Sequence, residues 1–156
     1  MAIEVVKEHF EKFGIANRIQ EYEASSATVE LAAEALHVEP ARIAKTLAFK
    51  KEDTCILIVA AGDTKIDNAK FKAKFGVKAK MLSPEEVLAQ VGHAIGGVCP
   101  FGVPENIAVY LDDSLKRFET VFPACGSSSS AIELSCPELF TYSNCQEWVD
   151  VCKGWS

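Results

Sequence analysis

The apolar residues at the start of the chain recur at helical spacing. They predict an amphipathic helix over residues 2–13, which ends at Gly14. The apolar side of this helix consists of Ile3, Val6, Phe10 and Phe13. Polar cap residues at 25–28 predict a second helix, which continues to Leu36.

Two further helices are indicated in the middle of the chain. Residues 67–75 favour a helix that Gly76 ends. Residues 83–86 have the form of a capping box, with a proline at the first helical position and Glu86 placed to reach back to Ser83. The helix that this box opens leads directly into a glycine-rich segment.

Short apolar runs predict strands. Residues 46–49 and 55–60 are expected to pair across a polar turn. The remaining segments are predicted strands at 18–22, 107–111, 120–124 and 131–134, a helical turn at 137–142, and either strand or helix at 146–152. This irregular alternation predicts an α/β (α+β) fold with a mixed, partly closed sheet or barrel surrounded by helices, rather than a regular βαβ series.

Length and composition indicate a globular protein. The chain has 156 residues, which suits one domain over residues 1–156, and 49% of them are apolar against 24% charged. It has no run of about 18 apolar residues, so no membrane span is predicted. The N-terminus lacks a basic segment followed by an apolar one, so it is not a signal peptide, and a cytoplasmic location is expected.

Cysteine spacing gives little support for a metal. The six cysteines form no Cys-x-x-Cys pair, and the three histidines lie far apart in sequence. A zinc site is therefore not predicted, nor is any cofactor. Most of these thiols are expected to be buried, although Cys99 and Cys125 flank glycine-rich segments and are candidate nucleophiles.

Residues 92–102, Gly-His-Ala-Ile-Gly-Gly-Val-Cys-Pro-Phe-Gly, carry the most specific signal. Glycines allow a backbone to approach a ligand closely, and Pro100 restricts the residue before it to extended conformations. Such a loop can present N–H groups to a carbonyl or a phosphate. A connector with two tight turns is the alternative interpretation. His93 is a candidate base or donor, although a lone loop histidine is more often structural.

Charge is unevenly distributed. The formal net charge is −6, which argues against a general nucleic-acid binder, yet residues 41–80 carry 10 basic and 4 acidic side chains. This basic block suits contact with the phosphates of a partner at one place, or the lysines simply solvate a helix face. The lysines that dominate the block are Lys65, Lys70, Lys72, Lys74, Lys78 and Lys80.

Two other segments are candidates for chemistry. Lys45 stands among small and apolar residues at the start of a predicted strand, so its ammonium is expected to face a cleft or an anion, or to reach the surface. Gly126 and the serines at 127–130 could line a pocket, but they lack the Gly-Lys-Ser ending of a P-loop.

Together, Lys45 in Ala-Lys-Thr-Leu, the 92–102 loop and the later residues 126–134 resemble the YbaK-type aminoacyl-tRNA deacylases. The same domain occurs as the editing insertion of bacterial prolyl-tRNA synthetases. The resemblance covers essentially the whole chain. It implies a trans-editing hydrolase that removes a small non-cognate amino acid from a tRNA, typically a tRNA for proline, in the manner of a second sieve.

The resemblance also implies roles for residues. Lys45 would hold the phosphate of the terminal nucleotide, and Gly96 and Gly97 would act at the reacting ester through backbone contacts. The implied substrate-binding residues are His93, Ile95, Val98, Cys99, Pro100, Phe101, Gly126 and Ser127. The implied tRNA-binding residues are Lys65, Lys70 and Lys74. The expected partners are an aminoacyl-tRNA, met at its terminal adenosine and acceptor stem, and a synthetase, with no membrane and no DNA.

One departure leaves alternatives open. Cys99 stands where relatives often carry serine, so a substrate preference does not carry over directly. A non-catalytic module that binds aminoacylated RNA ends or a small metabolite would use the same loop and Lys45. A thiol enzyme acting through Cys99 ranks third.

Overall fold

The computed structural model describes residues 2–23, 28–94 and 96–155. Within them the α-helices are α1 (Ala2–Glu11), α2 (Val29–Leu36), α3 (Asn68–Phe75), α4 (Pro84–Val91) and α5 (Cys136–Tyr142). The strands are β1 (Gln20–Glu21), β2 (Ile43–Lys51), β3 (Thr54–Ala61), β4 (Lys65–Ile66), β5 (Ala108–Asp112), β6 (Thr120–Pro123), β7 (Ser130–Ala131), β8 (Leu134–Ser135), β9 (Glu147–Val149) and β10 (Cys152–Lys153). Three 3-10 turns lie at Ala16–Arg18, Pro40–Arg42 and Asp113–Arg117.

Six of the described strands form one mixed, curled sheet in the order β8-β6-β2-β3-β5-β9. The β2–β3 hairpin is antiparallel, whereas β2–β6, β3–β5 and β5–β9 are parallel. Parallel neighbours require long crossover connections, and the crossover from β3 to β5 contains α3, α4 and the glycine-rich loop. The predicted mixed, partly closed sheet with surrounding helices is confirmed.

Strand β3 lies at the centre of the core and is buried on both faces. Leu57 and Val59 pack on the side of α1, α4 and α5, while Ile56 and Ile58 pack on the side of α3. A strand covered on both faces reads as a continuous apolar run, which is why residues 55–61 show no polar alternation. This rigid centre fixes the neighbouring strand β2, on which Lys45 lies.

Several local predictions are confirmed by cap geometry. Thr28 caps α2, Gly76 ends α3, and Ser83 and Glu86 form both hydrogen bonds of a capping box on α4. Asp67, predicted as the first residue of α3, is its N-cap instead. The other predicted cap residues, 25–27, lie outside the described residues. No helix in the described part of the chain is long and apolar enough to cross a membrane.

Two strand predictions were wrong in detail. The predicted strand at 131–134 is divided into β7, which pairs with β1, and β8, which pairs with β6. Between them the Glu133 carboxylate contacts Arg42 and the Thr120 hydroxyl, so the chain turns instead of continuing one ladder. The predicted strand at 18–22 begins as a 3-10 turn, and only Gln20–Glu21 pairs as a strand.

Arg18 fastens this turn to α5. Its guanidinium donates to both oxygens of Glu138 at 2.8 and 3.2 Å, and Glu138 also completes a capping box with Ser135. These contacts lower the pKa of the Glu138 carboxyl to about 2, the Arg18 hydrogen bond being the main cause. A carboxyl with a depressed pKa stabilises the fold above its ordinary pKa and loses that contribution as the pH falls toward its folded pKa.

We therefore expect Glu138→Gln to lower the free energy of unfolding at pH 7 by about 1–2 kcal/mol. The expected loss is less than the full pKa shift would give, because the carboxylate is partly exposed and water screens its charge. The variant should also lose part of the acid dependence of stability between pH 4.5 and 2, the interval between the ordinary and folded pKa values. Urea denaturation at a series of pH values measures both. Equal pH profiles for the two proteins would contradict the assignment.

Candidate functional site

An apolar cavity of about 280 Å³ lies between α2, strand β2 and the glycine-rich loop. Its walls are mostly small or apolar side chains, and Lys45 is the only charged residue among the described residues that line it. The apolar lining residues are Val29, Ala32, Leu36, Ile43, Ala44, Leu47, Val98, Phe122, Ala124 and Ala131. This volume lies just below the usual range of small-molecule pockets, so the cavity suits a small ligand group.

Lys45 brings a cation to this cavity from β2. It is half-buried, and its ammonium donates to the backbone oxygen of Thr64. Burial lowers the pKa of Lys45, while the charges of Asp63 and Glu30 act in the opposite direction. No carboxylate within 4.0 Å pairs with it among the described residues, so the ammonium retains donors for an anion.

The loop faces Lys45 through Gly96 and Val98, which also line the cavity. Gly96 has a φ of 96°, a conformation that residues with a side chain rarely adopt. The Gly97 N–H donates to the Ala94 carbonyl at 3.0 Å and closes a turn. The Gly97 N–H is therefore engaged within the loop.

Gly97 contributes by its lack of a side chain. A Cβ at this position would stand 2.7 Å from the Gly126 carbonyl carbon and from the Ser127 nitrogen. Gly126 has a φ of 90° and lies against the backbone of Ala2 at the start of α1. The two glycine-rich segments singled out in the sequence thus pack backbone to backbone beside the cavity.

His93 supports the loop from inside. Its side chain is buried, and its Nε2 lies 2.9 Å from the Phe101 carbonyl, which joins the two ends of the segment that carries Gly96 and Val98. Burial lowers the pKa of His93, so the ring stays neutral, and Nε2 must carry the proton to donate to that carbonyl. Nδ1 then has no hydrogen-bond partner among the described residues.

Three other residues of the loop lie away from the cavity. Phe101 is fully buried, with its ring centroid 4.6 Å from that of Phe10 in the core. Pro100 lines a second cavity, beside α1. Cys99 is completely buried. Their expected contacts with substrate are absent from the described lining, and Ile95 lies outside the described residues.

The thiol-enzyme hypothesis fails on the environment of Cys99. Burial raises the pKa of this thiol to about 12, and the nucleophilic form of cysteine is the thiolate. Burial likewise raises the pKa of Cys125 well above its usual value. His93 Nε2 is 3.5 Å from the Cys99 sulfur, but this nitrogen already donates to Phe101 and cannot take the thiol proton.

We expect Cys99→Ser to keep hydrolytic activity within about three-fold of wild type, because Cys99 is completely buried and does not line the cavity. A hydrolysis assay on mischarged tRNA measures this. Loss of activity by several orders of magnitude, in a variant that remains folded, would restore the thiol as a nucleophile.

The serine segment contributes a residue that differs from the predicted one. Ser130 lines the cavity, whereas Ser127 donates from its hydroxyl to the Ser130 oxygen at 2.8 Å and so supports it. The sequence also missed Tyr22 and Thr46, which line the cavity. The Thr46 hydroxyl is buried and has no partner among the described residues. In the sequence, only the position of Thr46 next to Lys45 could have indicated that it lines the cavity.

The three predicted tRNA-binding lysines are not equivalent. Lys70 pairs with Asp150 at 3.0 Å, and Lys74 pairs with Glu147. No ion pair within 4.0 Å involves Lys65 in the described part of the chain, and it lies next to the Thr64 carbonyl that Lys45 contacts. The described residues contain no cluster of His, Cys, Asp and Glu that could hold a metal ion.

Comparison with known proteins identifies the class of this protein as the aminoacyl-tRNA hydrolases. The model of the aminoacyl-tRNA editing domain family matches residues 23–142. The chain belongs to this family.

Individual relatives agree with it. The chain is 58% identical to the uncharacterised protein YwhH of Bacillus subtilis, over 99% of each chain. It is 28% identical over 121 residues to EbsC of Enterococcus faecalis, a candidate Cys-tRNA(Pro)/Cys-tRNA(Cys) deacylase, covering 76% of this chain and 74% of EbsC. The crystal structure of a candidate trans-editing enzyme for prolyl-tRNA synthetase has a TM-score of 0.88 and 29% identity, covering 98% of each chain.

Proposed function

We propose that this protein is a trans-editing deacylase of the cytoplasm. It would hydrolyse the ester that links a small non-cognate amino acid to the terminal adenosine of a tRNA, with the tRNA for proline as its substrate. The observation that carries this proposal is the half-buried Lys45 ammonium, which faces Gly96 and Val98 across a small apolar cavity.

The cavity supports a restriction on size. Its walls come from small and branched apolar residues, and its volume is about 280 Å³. We infer that a pocket walled in this way favours a small side chain, as in the second sieve that a synthetase needs when its own site discriminates weakly. Alanine, serine, threonine, cysteine and 2-aminobutyrate are all small enough to enter.

Lys45 supports recognition of the nucleotide. A compact ammonium that retains donors is suited to a phosphate oxygen, and its burial strengthens the attraction. Held at its terminal phosphate, the substrate would place its ester near Gly96 and Val98. The loop is fixed there by the turn at Gly97 and by the contact between His93 and Phe101.

The proposed reaction requires only a moderate increase in rate from the protein. An aminoacyl ester is already activated, so positioning and polar groups near the developing oxyanion can supply the rate increase without a nucleophilic side chain. A free ribose hydroxyl and a water molecule would move the protons. Neither His93 nor Cys99 is needed as a base, in keeping with their burial away from the cavity.

The choice of tRNA rests on relatives. Prolyl-tRNA ligase of a Geobacillus strain is 29% identical over 102 residues, which span 65% of this chain and 18% of the ligase. The name of EbsC refers to the tRNA for proline, and that of the candidate trans-editing enzyme refers to prolyl-tRNA synthetase. We infer that the chain edits beside a prolyl-tRNA synthetase.

A panel of tRNAs, each charged with one small amino acid, tests the proposal. We expect hydrolysis of the tRNA for proline when it carries one or two of the small non-cognate amino acids. The same tRNA charged with proline should not be hydrolysed. If no species is hydrolysed at high enzyme concentration, the proposal fails in favour of a non-catalytic module that binds aminoacylated RNA ends.

A further inference from the structure

Two lysines stand side by side on an exposed ribbon next to Lys45. Strands β4 and β10 form an antiparallel pair in which Lys65 lies directly opposite Lys153. Directly opposed residues of such a pair project to the same face, so the two ammonium groups are neighbours. Like charges directly opposite each other destabilise a sheet. A locally unfavourable arrangement of this kind is typical of a functional site.

Carboxylates near the ribbon are already engaged. Arg117 donates to both oxygens of Asp63 at 2.9 and 2.6 Å, and Lys70 pairs with Asp150 at 3.0 Å. Both Lys65 and Lys153 are exposed, and no ion pair within 4.0 Å involves either of them among the described residues. The outer face of the ribbon therefore carries two adjacent positive charges without compensation.

The ribbon adjoins the cavity through Lys45. The Lys45 ammonium donates to the Thr64 carbonyl, which belongs to the peptide bond that leads into Lys65. Burial is the main cause of the lowered pKa of Lys45, and the positive charge of Lys65 contributes to it, so the two ammonium groups lie within electrostatic reach of each other. A strand of RNA that leaves the cavity past Lys45 would meet Lys65 and Lys153 next.

We propose that Lys65 and Lys153 form a second phosphate-binding site, which takes the phosphodiester preceding the one held by Lys45 at the single-stranded 3′ end of the tRNA. This proposal rests on the proposed function, since the terminal nucleotide must enter at Lys45. It assigns a role to Lys153, which lies far from the basic block in sequence. It also sets the direction of the RNA, across the β4–β10 ribbon.

The test is binding of an uncharged, fluorescently labelled single-stranded RNA with the sequence of the tRNA 3′ end. The variants are wild type, Lys65→Gln with Lys153→Gln, and a control, Lys72→Gln with Lys78→Gln, which removes the same charge elsewhere in the basic region. A second RNA carries one neutral methylphosphonate in place of the phosphate before the terminal one. Thermal unfolding of each variant confirms folding, and the removal of like-charge repulsion should leave the melting temperature of the first double variant equal or higher.

The first double variant should bind the normal RNA about ten-fold more weakly, and its slope of log affinity against log salt should fall by about 0.7, the value for one single-strand phosphate contact. The neutral linkage should weaken binding by wild type and by the control, but not by the first double variant. Equal losses in the two double variants, or an equal penalty from the neutral linkage in all three proteins, would overturn the proposal.

This readout is independent of catalysis. If charged tRNAs are hydrolysed and the binding pattern is absent, the phosphate site fails and the deacylase proposal stands. If the binding pattern is present and no charged tRNA is hydrolysed, the deacylase proposal fails and the RNA site stands.

Discussion

Replacement of Lys45 by alanine should reduce kcat/KM for a mischarged tRNA by at least about 100-fold, because the substrate loses its charge-assisted contact at the terminal phosphate in a partly buried site. Lys45 is the only charged residue that lines the cavity in the described structure, so no neighbour can replace it. Steady-state hydrolysis of one mischarged tRNA, identified from the panel, measures the effect.

Lys50 provides a matched control on the same strand. It pairs with Glu86 at 3.4 Å, away from the cavity lining, and Lys50→Ala should keep full activity. Lys45→Met separates charge from packing, since it keeps a long apolar stem. Burial lowers the pKa of Lys45, which means that the charged form is less favourable in the folded protein than in the unfolded chain. Lys45→Met should therefore be inactive without losing thermal stability. An active Lys45→Met variant would remove the phosphate contact from the mechanism.

Predictions from the sequence succeed where a few adjacent residues determine the structure. The capping box at Ser83 and the helix end at Gly76 follow from local hydrogen bonding and backbone freedom, and both are confirmed. The apolar run over residues 55–60 is confirmed as a strand that pairs with the strand containing residues 46–49. Its position between two covered faces was not predicted, because the helices that cover it are distant in sequence. The division of residues 130–135 into two strands escaped prediction, since it depends on Arg42, which is distant in sequence.

The candidate site shows the same limit. Lys45 and the glycine-rich loop could be singled out because a buried ammonium and repeated glycines are unusual by themselves. The cavity walls could not, since they come from α2, β2, β6 and β7, which meet only in the folded chain. The pairing of Lys70 and Lys74 with carboxylates near the C-terminus also depends on tertiary contacts, so a basic run in sequence overstated the positive surface.

Gly97→Ala should cost as much activity as the loss of Lys45. The new Cβ would meet backbone atoms of Gly126 and Ser127 at 2.7–2.8 Å, and backbone cannot yield as a flexible side chain does. The loop would have to move away from the serine segment and carry Gly96 and Val98 with it. A displacement of about 1 Å at a reacting group can cost about 100-fold in rate, so we expect at least this fall in kcat/KM.

Gly76→Ala separates this local effect from a general loss of stability. Gly76 ends α3 with a φ of 77°, and a Cβ there would meet no atom within 4 Å, so the substitution strains the backbone without a clash. It should lower the melting temperature while leaving kcat/KM unchanged. Gly97 has no positive φ, so its alanine variant acts through contact alone. A Gly97→Ala protein as active as wild type would mean that the loop can shift freely, and the fixed position of Gly96 and Val98 would then play no part in hydrolysis.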